Sequence, residues 1–111
     1  MTYQEAVALA ATEFELKRDT SHTTLVLTGL TYDGCNGFCV MIYDMGDHAV
    51  VTDIGETKEH FDEVTEEEWK DLCASHGFAF NHWRIERDIR STQDIYDFIE
   101  FLDFVSDKFY E

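Results

Sequence analysis

The chain has 111 residues, 24 acidic against 8 basic side chains, a formal net charge of −16, and 44% apolar and 14% aromatic residues. That length and apolar content predict one domain with its own core and exclude a disordered chain, while the charge repels nucleic acid and anionic membranes. No apolar run is long enough to span a membrane, the N-terminus lacks the basic start and apolar stretch of a secretion signal, and three cysteines without a CxxC pair fit a reducing cytoplasm.

Taken in order, Thr2-Tyr3-Gln4-Glu5 has capping-box form, and the helix formers after it predict a short helix from about Tyr3 to Thr12. Phe14 to Arg18 alternates apolar and polar as a strand does, Asp19 to His22 is a polar turn, and Thr23 to Thr28 is a second strand with Leu25 and Leu27 on one face. Gly29 to Gly37 is loop. Phe38 to Tyr43 is an unbroken apolar run rich in β-branched and aromatic residues, predicting a strand buried on both faces. Asp44 to Asp47 is turn chemistry, and Ala49 to Thr52 returns as an antiparallel partner. These four strands are expected to form an antiparallel meander. Asp53-Ile54-Gly55 turns the chain sharply, with Asp53 bonding nearby amides, and Lys58 to Val64 reads as a helical turn or loop.

Thr65-Glu66-Glu67-Glu68 caps a further helix carrying Trp69, Leu72, Cys73 and His76 at helical spacing, and Gly77 ends it. Phe78 to Phe80 and Trp83 to Glu86 predict a small second hairpin. Ser91 to Asp94 caps the last helix. Its apolar residues from Ile95 to Phe109 leave only a narrow polar stripe of Asp94, Asp97, Glu100 and Asp103, so it is expected to be apolar over most of its circumference. It would cover the sheet and also touch a second surface, either the Trp69 helix or a partner chain. The predicted class is α+β.

Val51-Thr52-Asp53-Ile54-Gly55-Glu56-Thr57 resembles a segment of domain-of-unknown-function family 1828, found in bacterial and phage proteins. The order of elements is similar over roughly residues 14–90, with Thr24 to Leu30, Phe38 to Tyr43 and Glu66 to Phe78 at matching places. The resemblance implies an α+β fold and carries no activity with it.

The charge is the candidate for function. Eleven acidic residues and two lysines lie between Asp44 and Asp71, the acids being Asp44, Asp47, Asp53, Glu56, Glu59, Asp62, Glu63, Glu66, Glu67, Glu68 and Asp71. Asp94, Asp97, Glu100 and Asp103 add a stripe on the last helix. Carboxylates spaced along a stiff surface imitate nucleic-acid phosphates and compete for a basic groove. The expected partner is a basic nucleic-acid-binding protein or complex of a bacterial host, engaged without direct nucleic-acid or membrane contact. The leading expectation is therefore a non-enzymatic inhibitor of a bacterial defence system, of the anti-CRISPR or anti-restriction kind, acting as a DNA mimic. A solvated acidic face that only keeps the chain dispersed is the plain alternative.

Other readings have thinner support. An antitoxin-like or accessory domain would form a homodimer through the last helix. A divalent-metal nuclease would use Glu56-Thr57-Lys58 with Asp44 or Asp47, but the ExK follows a turn and the chain would repel its substrate. Cys73 and His76 with Cys35, Cys39 and His82 make a poor zinc set, since the close pairs such a site needs are missing. Five scattered histidines come with no nucleophile elbow or phosphate loop. No cofactor, metal or catalytic residue is expected. Arg84, Arg87 and Arg90 are expected to pair with neighbouring carboxylates.

Overall fold

The computed structural model describes residues 1–109. Its elements are α1 (Tyr3–Ala10), β1 (Glu15–Arg18), β2 (Thr23–Leu27), β3 (Met41–Asp44), β4 (Ala49–Thr52), α2 (Glu56–His60), α3 (Glu66–Ser75), β5 (Ala79–Asn81), β6 (Arg84–Asp88) and α4 (Thr92–Phe109). The class is α+β with an antiparallel sheet. Two of the three predicted helix caps form through their hydroxyls: the Thr2 side chain accepts from Glu5 N–H at 3.2 Å, and Thr65 accepts from Glu68 N–H at 3.2 Å. At the third, the Asp94 carboxylate accepts from Ser91 N–H at 3.2 Å. Gly77 follows α3 at φ +82°, and Phe78 N–H bonds back to the Cys73 carbonyl at 2.8 Å.

The sheet has six strands in the order β1-β2-β3-β4-β6-β5, where the sequence predicts four strands and a separate hairpin. The second hairpin adds to the first because β4 cannot be an edge. All four of its residues are buried, and β6 takes its open side in the register Val50↔Asp88, Val51↔Arg87, Thr52↔Glu86. The third strand is also shorter than predicted. Regular pairing begins at Met41, and Phe38 to Val40 lead into it as irregular chain.

Register assigns the two faces, because opposed residues point the same way. Thr24, Ile42, Val51 and Arg87 form a row on one face, joined there by Leu16 with Val26 and by Phe80 with Ile85. The helices α1, α3 and α4 cover this face. Tyr3 of α1 bonds Thr24 through hydroxyls 2.6 Å apart, and Trp69 of α3 stacks on Phe80 with centroids 6.1 Å apart. Lys17, Leu25, Met41, Thr52, Glu86 and Ala79 form the matching row on the other face, which these helices leave uncovered.

Helix α4 is amphipathic, which corrects the expected nearly all-round apolar surface. Ile95, Phe98, Leu102 and Val105, spaced three and four apart, are fully buried, with Phe101 beside them. Tyr96 and Phe104 lie outside that stripe and are 39% and 43% exposed. Each leans on a neighbour: Tyr96 tilts on Phe14 and donates to Glu13 at 3.1 Å, and Phe104 rests on His76 at 4.8 Å. Of the two surfaces proposed for this helix beyond the sheet, the Trp69 helix is the one in place. Phe109 meets Trp69 at 5.4 Å, and His76 just past α3 meets Phe101 at 5.1 Å, so the two helices run antiparallel.

The junction of β4, α2 and β6 is built on Asp53, which is fully buried. Its Oδ1 accepts from Gly55 N–H at 2.9 Å and from Ile85 N–H at 3.0 Å, and its Oδ2 accepts from Thr57 N–H at 3.2 Å. The expected local turn is present, and the same carboxylate also reaches 32 residues along the chain to hold β6. Thr57 in turn meets the Tyr32 hydroxyl at 2.7 Å, which ties in the long β2–β3 loop. Burial raises the Asp53 carboxyl above the ordinary aspartate value despite these donors.

Asp53→Ala strands three backbone N–H groups and should cost roughly 3–6 kcal/mol, read from urea unfolding at neutral pH. Because the folded state raises the Asp53 pKa, its proton-linked stabilisation is complete below the unfolded value, about 3.9, and fades as pH rises through the folded one. Asp53→Asn should remove that fading, so the stability difference between the variant and the natural chain should change as pH rises above the unfolded value. A difference independent of pH would show that the carboxyl does not titrate in this way.

Candidate functional site

The carboxylates predicted to bind a partner separate into two ends of the molecule. The β3–β4 ladder runs from Met41↔Thr52 at one end to Asp44↔Ala49 at the other. Helix α2 follows the Thr52 end, while Asp44 and Asp47 sit in the hairpin turn at the far end. Helix α4 starts near that turn, where Ile89 N–H bonds the Ala49 carbonyl at 3.0 Å, and its last described residue reaches Phe61 and Trp69. It therefore spans the molecule, about 27 Å for 18 residues.

At the hairpin end the predicted acids are engaged. The Asp44 carboxylate accepts Gly46 N–H at 2.8 Å within its turn. Asp47 lies 2.6 Å from His48, and that contact lowers the Asp47 pKa and raises that of His48. Asp94 is buried: its carboxylate takes Arg90 N–H at 2.8 Å, Ser91 N–H at 3.2 Å and Arg87 Nε at 3.1 Å. Asp97 shares Arg87 at 3.5 Å. Arg87 thus pairs as expected, whereas the half-buried Arg84 keeps an unpartnered Nε. Asp94 and Asp97 hold the start of α4, Asp94 buried and Asp97 half-exposed, both paired with Arg87.

The other end is an acidic ribbon. Glu56 and Glu59 on α2, Asp62 and Glu63 in the turn, and Glu66, Glu67, Glu68 and Asp71 on α3 are all exposed. Glu100, Asp103 and Asp107 continue it along the solvent side of α4, beside α3. Lys70 pairs with Glu66 at 3.5 Å, Lys58 lies over the Trp83 ring at 4.8 Å, and Lys108 lies over Phe109 at 5.8 Å. Among the described residues no ion pair reaches Glu56, Glu59, Asp62, Glu63, Glu67, Glu68, Asp71, Glu100 or Asp103. Glu66, Glu67 and Glu68 sit in the first turn of α3, where the helix dipole favours negative charge.

The nuclease arrangement does not assemble, since Asp44 and Asp47 lie at the opposite end of the ladder from Glu56. Among the described residues no three His, Cys, Asp or Glu side chains are grouped to hold a metal ion. Burial pushes the Cys39 and Cys73 thiols up to about 12, far from a reactive thiolate. No helix among the described residues is long and apolar enough to cross a membrane.

The sequence reading overlooked the strained turns beside the ribbon. Ile54, His82 and Trp83 take φ of +49°, +52° and +67°, each costing roughly 1–3 kcal/mol for residues of their type. The two turns touch: a Cβ on Gly55 would stand 3.3 Å from the Trp83 carbonyl oxygen. Ile54 is 41% exposed and Trp83 47%. The available signal was an isoleucine inside an otherwise polar Asp-x-Gly turn.

Removing acids of the two ends should have unlike effects. Asp94→Ala loses two cap bonds and leaves Arg87 with Asp97 alone, and should cost about 1–2 kcal/mol in urea unfolding. Glu67→Ala and Asp103→Ala should leave the midpoint unchanged or raise it slightly, since each removes only self-repulsion.

Comparison with protein-family models, with curated proteins and with solved structures gives no match for this chain.

Proposed function

We propose that this protein is a non-enzymatic inhibitor that sets its acidic end into the nucleic-acid groove of a basic protein, such as a bacterial CRISPR or restriction complex presents. The observation that carries this reading is the ribbon itself: carboxylates from α2 to Asp71, continued by Glu100, Asp103 and Asp107, with few cations among them and a packed core beneath. Acidic residues one helical turn apart have Cβ atoms about 5–6 Å from each other, and none of the three helices needs to reorder to present them. A cationic groove gains from such a surface as it gains from phosphates, by Coulomb attraction and release of its own anions. The bacterial setting is part of the proposal and rests on the short resemblance at Val51 to Thr57 alone, with no family-model match behind it.

Dimerisation through α4 is the weaker reading. Phe98, Phe101, Leu102 and Val105, which would form that interface, are buried within one chain, and Phe104 alone of the set is exposed.

The triple charge reversal Asp62→Lys, Glu66→Lys and Glu67→Lys should abolish capture of a basic partner from bacterial lysate. Asp44→Lys with Asp47→Lys, at the opposite end, should leave capture intact. For the natural chain, capture should fall steeply between low and physiological salt. Retention by the triple variant, or indifference to salt, would discard the proposal.

A further inference from the structure

The sheet face opposite α1, α3 and α4, partly covered by the β2–β3 loop and α2, carries a second feature. Leu25, Leu27 and Met41 form the floor of an open groove of about 1280 Å³, with Leu30 and the β2–β3 loop on one side and Ile54 and α2 on the other. Leu27, Leu30 and Ile54 are each 40–42% exposed, so three of the large apolar side chains left in water converge on this one place. Glu15, Glu56 and Glu59 lie on its rim, and no lysine or arginine lines it.

The walls are preformed. Tyr32 anchors the loop to Thr57 at 2.7 Å and packs on Phe38 at 4.9 Å and His60 at 5.1 Å. The Asp33 carboxylate accepts Cys35 N–H and Asn36 N–H, both at 2.8 Å. On the other side, Ile54 is held at positive φ, a conformation in which asparagine or glycine would be less strained, yet its side chain faces the groove. A site this broad and open exceeds the usual 300–1,000 Å³ or so of a small-molecule pocket and suits a length of polypeptide.

We infer that this groove binds a basic amphipathic segment of a protein partner, with apolar side chains on Leu25, Leu27, Leu30, Met41 and Ile54 and lysine or arginine side chains on Glu15, Glu56 and Glu59. Charge complementarity selects this occupant: the rim repels acidic peptides, nucleic acid and anionic lipid alike. Because Glu56 and Glu59 also belong to the acidic ribbon, one partner can fill both surfaces. The identity of that partner as a nucleic-acid-binding protein rests on the function proposed above, while the groove's chemistry does not.

The test is an amide NMR titration of the full chain with two synthetic peptides of equal length and charge, one alternating leucine with arginine and one alternating serine with arginine. The leucine peptide should give saturable shifts at Leu27 to Leu30 and Ile54 to Glu59. The double variant Leu30→Ser with Ile54→Asn, both at exposed positions, should weaken it by about tenfold or more. The serine peptide should give only salt-sensitive shifts along the acidic ribbon. Equal behaviour of the two peptides, or an unaffected double variant, overturns the inference. So do groove shifts that grow with protein concentration alone, which would make a second copy the occupant. Failure of the inhibitor proposal reads differently: lysate capture survives the triple reversal while the leucine peptide still titrates the groove.

Discussion

A single buried carboxylate joins the parts of this fold that sequence separates. Asp53 closes its own turn through Gly55, starts α2 through Thr57 and holds β6 through Ile85. Desolvation opposes an ion in that position, and three backbone donors answer much but not all of the opposition, so the carboxyl holds its proton more tightly than usual. The bonds go to backbone rather than to a lysine or arginine, so the direction of the chain is specified at three points at once. With β6 fixed against β4, the sheet has no open edge at its most apolar strand, and α2 must leave from the Thr52 end. The acidic ribbon begins there for that reason.

A net charge of −16 works against a compact state, and the fold limits the damage by placement. The first turn of α3 receives three carboxylates where the helix dipole is positive. Arg87 lies between the sheet and α4, over the Phe78 ring at 5.1 Å, and binds the two carboxylates that could least remain free there. Most of the unpaired carboxylates between Glu56 and Asp71 and on the distal half of α4 stand in water. Self-repulsion is tolerated where solvent screens it, and neutralised where it would be buried.

Local chemistry was legible from residues alone. The capping box at Thr2, the side-chain cap at Thr65, the stop at Gly77 and the strand Ala49 to Thr52 all stand where side-chain chemistry within a few residues puts them. What the sequence hid was long-range. Nothing local to Arg84–Asp88 announces its pairing with β4, because the deciding contact is the bond from Ile85 to Asp53. The apolar residues of α4 were legible as apolar but not as a stripe: Tyr96 and Phe104 sit at the flanks, where a ring can rest on Phe14 or His76 and still meet water. Asp94 and Asp97 looked like a presented row because the spacing of a helix face does not say which way the helix is turned.

The same distinction bears on which surface acts. Carboxylates in water are an ordinary outcome for an acidic chain, and their number alone decides little. The strained turns are a different matter. Ile54 holds a conformation that costs free energy and leaves a large apolar side chain in solvent close to Glu56 in sequence, in a turn that lies against the Trp83 carbonyl. Packing within this chain does not repay the cost at Ile54, which stays 41% exposed, whereas the two-residue β5–β6 turn needs positive φ at both His82 and Trp83, and the Trp83 ring packs on Phe80 at 6.1 Å. Solubility does not explain the cost at Ile54 either, because exposed isoleucine opposes solubility. A surface that combines unpaired charge with an exposed apolar group suits the proposed binding role, with specificity in the apolar part and long-range attraction in the charge.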